Sequence, residues 1–134
     1  MNKLIISIIL TFLLYSCTSV LENIFISASQ QRASWKELQD AEFEMGLPIK
    51  DDKIYYLSYS CNLNNGPNSF PRAIKKSCVK IKNNELNIYL YYKIDMEMKN
   101  MDKIKLGKLN IGNYNVYYID KDKSKYFIGE INIE

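Results

Sequence analysis

The chain contains no histidine. That removes the commonest general base, the commonest metal ligand and the ordinary physiological-pH switch. Glycine is scarce, with five residues in 134, so a Gly-rich phosphate cradle has little to be built from. There is no Cys-x-x-Cys pair and no Gly-x-Ser-x-Gly, which weakens zinc, redox and serine-hydrolase readings. Net charge is only +3, too little to argue for nucleic acid. What is present is ordinary globular material: 47% hydrophobic and 25% charged residues, enough for one domain. The expectation is a protein that is not an enzyme and needs no cofactor or metal.

The N-terminus is the most informative stretch. Met1-Asn2-Lys3 is a positive start, and Leu4 to Tyr15 is a twelve-residue apolar run. That is shorter than the roughly 20 residues of a membrane-spanning helix and suits a cleaved signal peptide. It runs into Leu14-Tyr15-Ser16-Cys17. Here the chain resembles bacterial lipoproteins, whose lipobox has Leu three residues before the cleavage point, a small residue before it and an obligatory Cys after it. Leu14, Ser16 and Cys17 match; Tyr15 is bulkier than the residue usual there. The resemblance covers seventeen residues. It implies cleavage after residue 16, a diacylglyceryl thioether on Cys17 with further acylation such as palmitate, and effectively permanent membrane attachment. Thr18 is not Asp, which by the family's sorting convention implies the outer membrane, facing the periplasm, in a Gram-negative source.

With Cys17 lipidated, Cys61 and Cys78 remain, with sixteen residues between them. In an exported protein they are expected to form a disulfide, worth about 3 kcal/mol in the chain-entropy account.

Residues 17–29 are expected to carry the lipidated N-terminus and a first strand through Val20, Ile24 and Ile26, leaving 30–134 as the rest of a single β-rich domain. Ser34-Trp35-Lys36-Glu37 reads as a capping box, with Trp35, Leu38, Ala41 and Met45 on one helical face and Gly46 and Pro48 as a stop. This predicts a helix over 35–45, with Trp35 facing the core. Ile54 to Cys61 reads as a strand, and Asn62 to Ser77 as a loop broken by Gly66-Pro67 and Phe70-Pro71. Residues 79–82 and 86–94 form a hairpin around Asn83-Asn84, with alternating faces that predict a half-buried sheet. A methionine-bearing loop follows at 95–103. Strands at 104–111, 114–119 and 126–133 then read as an antiparallel meander. The fold class is mainly β: a single antiparallel sandwich or curled sheet of six or seven strands with one short helix. The run from Gly112 to Tyr118, with its charged turn and last strand, looks like the closing hairpin of transthyretin-like and immunoglobulin-like sandwiches.

Asp120, Asp122 and Ser124 begin like a calcium loop, but Lys125 and Ile131 stand where Gly and Glu belong, so a solvated turn is expected. The acidic pairs at Asp51-Asp52, Glu42/Glu44 and Asp95/Glu97 lie in polar segments, where nothing implies the burial that acid–base chemistry needs. Arg72, Lys75, Lys76, Lys80 and Lys82 cluster around Cys78, with Phe70 nearby. A docking surface is expected from Phe70, Arg72, Lys75 and Lys76 on a loop tied by the disulfide, joined by Tyr55, Tyr89 and Tyr91, with Tyr117, on the less buried sheet face. In size, anchor and architecture the chain is similar to periplasmic immunity proteins and inhibitors that neutralise type VI secretion effectors or lysozyme. That resemblance implies a protein partner. The alternative is a structural or accessory lipoprotein of an envelope or secretion machine.

Overall fold

The computed structural model describes residues 30–64 and 70–134. The signal peptide, Cys17 and the first strand expected at Val20 to Ile26 lie outside the described residues. The described chain is mainly β, as its sequence implies, with eight strands in two open sheets and one short helix. Strand β1 (Gln30–Arg32) precedes helix α1 (Trp35–Asp40); β2 (Glu44–Asp51) and β3 (Ile54–Ser60) follow. Then come β4 (Arg72–Lys82), β5 (Glu85–Ile94), β6 (Lys103–Gly107), β7 (Gly112–Ile119) and β8 (Lys125–Ile133).

The larger sheet holds β1, β4, β5, β7 and β8; the smaller has the order β2-β3-β6. Their inner faces supply one core. Leu86, Ile88 and Leu90 alternate along β5, joined by Val116, Tyr118, Ile131 and Ile133, and they meet Leu57, Ile104 and Leu106 from the smaller sheet. The period-2 pattern read in β5 is thus the pattern that buries it. Trp35 faces inward, stacked 5.8 Å from Tyr118 and 5.2 Å from Tyr126. The β4–β5 hairpin turns at Asn83, which takes φ 54°.

Three local expectations give way to tertiary structure. The helix stops at Asp40, and residues 44–51 are an edge strand. Glu42 adopts φ 55°, the Phe43 amide donates to Leu38 O at 2.9 Å and the Glu42 amide to Gln39 O at 3.0 Å. That is a Schellman closure with Glu in the position where glycine is usual. Gly46 serves a bulge in β2 instead. A Cβ there would lie 2.1 Å from Ser58 Oγ and 3.0 Å from Ser58 O, and Pro48 is tolerated because β2 is an edge strand among the described residues.

The loop expected at 62–77 also ends early, since strand β4 begins at Arg72. Nor do the last three strands form a meander. β6 crosses to the smaller sheet and pairs with β3, and the returning β7 lies parallel to β5. Of the six strand pairings among the described residues this alone is parallel. The excursion through the other sheet supplies the crossover that parallel neighbours need. The β7–β8 hairpin itself is present.

Candidate binding cleft

The outer face of the larger sheet carries a polar concavity. On β4, Lys76, Cys78, Lys80 and Lys82 share a face, because each lies opposite an outward residue of β5: Tyr91, Tyr89, Asn87 and Glu85 in turn. β7 ends at this level and turns through Asp120 to Ser124 into β8. Together these elements bound an open cleft of about 910 Å³. Its lining includes six basic side chains, Arg32, Lys80, Lys82, Lys121, Lys123 and Lys125, against two carboxylates, Glu85 and Asp120.

The floor is aromatic. The Arg32 guanidinium lies 4.7 Å from the Tyr89 ring and 5.6 Å from that of Tyr91, and Lys80 Nζ is 5.2 Å from Tyr89. Such cations are held by the ring faces while keeping their charge. Arg32 also donates to Ile119 O, across the junction where β1 and β7 share one edge of β5. Lys125 pairs with Glu85 and lies 4.3 Å from the Tyr117 ring. Arg32 Nε and Asn87 Oδ1, one donor and one acceptor, are buried in the lining without a partner.

The turn's own carboxylates are occupied. Asp120 Oδ1 accepts from the Trp35 amide at 3.2 Å and the Lys121 amide at 2.7 Å, and Asp122 Oδ1 accepts from the Ser124 amide at 2.9 Å. The Ser124 amide and hydroxyl hold the Asp122 carboxyl below its ordinary range. Among the described residues no group of three or more acidic or cysteine side chains is placed to hold a metal ion.

The docking residues expected from sequence do not form one surface. Tyr89 and Tyr91 line the cleft, with Tyr91 buried in its floor rather than open on the face, and Lys76 Nζ lies 5.7 Å from the Tyr91 ring. Tyr55 belongs to the other sheet, where Lys50 covers its ring at 5.6 Å. Phe70 is exposed at the far end of β4. A bulge between Ile74 and Lys76 reverses the strand's faces, so Arg72 shares the side of Tyr92, 4.7 Å from its ring. Arg72 is engaged there by Glu37 at 2.6 Å and donates to Leu63 O at 3.3 Å. Lys75 is engaged by Asp95 at 2.8 Å and by Lys99 O at 2.6 Å. These two cations serve the fold. The alternation Lys76, Cys78, Lys80, Lys82 was the available signal for the cleft. Reading 62–77 as a loop hid it, and Arg32 and the Lys121–Lys125 turn are remote in sequence.

The expected Cys61–Cys78 disulfide is not formed. Cys61 is a free thiol. Asn100 explains the separation: its Oδ1 accepts from the Ile74 amide at 2.9 Å, and its Nδ2 donates to Cys61 O at 2.8 Å. Cys61 therefore sits at the level of Ile74. Cys78 is four residues farther along β4, about 13 Å at strand rise, beyond the ~7 Å Cα limit of a disulfide. Cys78 is disulfide-bonded, and the third cysteine of the sequence, Cys17, lies outside the described residues. Burial pushes the Cys61 thiol up to about 11, which makes it an inert structural thiol.

No family model, curated protein or solved structure matches the chain.

Proposed function

We propose that the chain is a small lipid-anchored envelope lipoprotein whose domain binds a protein partner without catalysis, in the manner of an immunity or inhibitor protein acting on a periplasmic toxin. The observation that carries the binding half is the basic, aromatic-floored cleft. Six cations line it against two carboxylates; Lys125 and Lys121 are already paired with Glu85 and Glu37, and the remaining basic excess selects an acidic surface and steers it in. The rings supply contact area at low conformational cost.

The anchor half rests on Leu14, Ser16 and Cys17 closing a twelve-residue apolar run. A thiol carries a diacylglyceryl thioether or a disulfide, not both, so the mass of the mature N-terminal peptide decides the fate of Cys17. Cys17→Ala should abolish palmitate labelling and leave the precursor uncleaved. A Cys17 recovered unacylated in a disulfide with Cys78 would remove the anchor.

The binding half is tested by titrating the mature protein with acidic proteins encoded beside its gene. Lys80→Glu/Lys82→Glu should weaken a detected complex at least tenfold, about 1.4 kcal/mol, and wild-type affinity should fall as salt rises. A complex indifferent to both would remove the cleft from binding. No complex with any of them would favour a structural role in an envelope assembly.

A further inference from the structure

A different end of the molecule carries unexplained apolar exposure. Phe70 is 74% exposed, Ile94 69%, Met96 78% and Met98 52%. They are neighbours. Arg72 pairs with Ile94 in the β4–β5 register, the Asp95 amide donates to Pro71 O at 2.9 Å, and continuing that register sets Phe70 opposite Met96. The turn beyond β5 holds the methionines outward. Asp95 accepts the Glu97 amide at 3.2 Å and the Lys99 amide at 3.1 Å and pairs with Lys75, so its charge is spent inside the turn. Exposed Lys93 and Lys99 flank the apolar group.

The first described residue lies at this same end. Gln30 of β1 lies opposite Lys93, next to Ile94. Twelve residues, Thr18 to Ser29, separate Gln30 from Cys17; they span at most about 43 Å.

Apolar side chains with flanking lysines suit the headgroup boundary of a bilayer, where apolar groups enter the acyl region and cations stay at the lipid phosphates. We propose that the Phe70–Ile94–Met96–Met98 tip inserts into the interface of the membrane that holds the acyl chains of Cys17. The domain then stands on this end, and the basic cleft, whose lining runs to the Asn83 turn at the opposite end of β5, opens away from the bilayer. The inference rests on the lipid-anchor reading.

The test uses the mature protein reconstituted in vesicles of phosphatidylethanolamine with a minority of phosphatidylglycerol, with and without brominated acyl chains. Phe70→Trp places a reporter in the tip. Ile111→Trp places one at the opposite end, where Ile111 is 82% exposed. The emission of Trp35 is subtracted using the wild type. Brominated lipid should remove more than half of the added Phe70→Trp emission and leave that of Ile111→Trp unchanged. Equal quenching of both, or of neither, overturns the proposal. Mass spectrometry of the same sample separates the two claims. Acylated Cys17 with an unquenched Phe70→Trp overturns the tip alone, whereas unacylated Cys17 overturns the anchor and the tip with it.

Discussion

The Tyr118 hydroxyl of β7 donates to the backbone oxygen of Ala33, just beyond β1. The same oxygen atom of Tyr118 lies 3.4 Å from the Leu90 amide, while the Ala33 amide donates to Leu90 O at 2.9 Å. One buried phenol therefore closes the joint at which β1 and β7 meet end to end along β5. Burial pushes its pKa up to about 12, so it stays a neutral donor.

Tyr118→Phe should lower unfolding free energy by about 1–3 kcal/mol, because it leaves a buried carbonyl short of a donor without changing packing. Urea denaturation checks this. A change within error would mean that Ala33 O finds water instead.

Glu37 gives a pH prediction. Burial alone would raise its pKa, but hydrogen bonds from the Ser34 amide and hydroxyl and from Arg72, with the Arg72 charge, outweigh that and hold it below the ordinary 4.5. A depressed folded-state value contributes stability that is complete above the unfolded value. It is lost as pH falls through the lower folded value. Arg72→Ala should cost about 1–2 kcal/mol at pH 7, and the gap from wild type should narrow at pH 3. A gap constant between those pH values would assign the loss to packing.

Glu42 holds a left-handed conformation, φ 55°, that costs a non-glycine residue about 1 kcal/mol, and its side chain is exposed. Glu42→Gly should therefore raise stability by about 0.5–1 kcal/mol, net of the added freedom of the unfolded chain. Thermal melting of the pair reads the sign directly. A lowered midpoint would contradict the Schellman closure.

Cys61 should react with iodoacetamide at pH 8 at least tenfold more slowly than a free thiol, since a pKa of about 11 leaves little thiolate. In guanidinium the rate should become ordinary. A non-reducing peptide map that joins Cys61 to Cys78 would overturn the separation set by Asn100.

Extended segments at 54–60 and 86–94, the turn at Asn83, the capping box at Ser34 and the inward alternation of Leu86, Ile88 and Leu90 were legible in the sequence. So was Trp35 turned toward the core, against which it packs half-buried. Each is settled by residues a few positions apart, where turn chemistry, capping and periodicity act. The sequence alone also carries the lipobox, which concerns residues outside the described fold. The tertiary structure decided which sheet each strand joins, the parallel β5–β7 pair and the end of the helix at Glu42. It also spent Arg72 and Lys75 on Glu37 and Asp95, and it gathered Arg32 and Lys80 around Tyr89. Those residues lie tens of positions apart, and a charge's role depends on which partner the folded chain sets beside it. Composition shows how many cations there are; strand pairing determines which of them stay available to a partner.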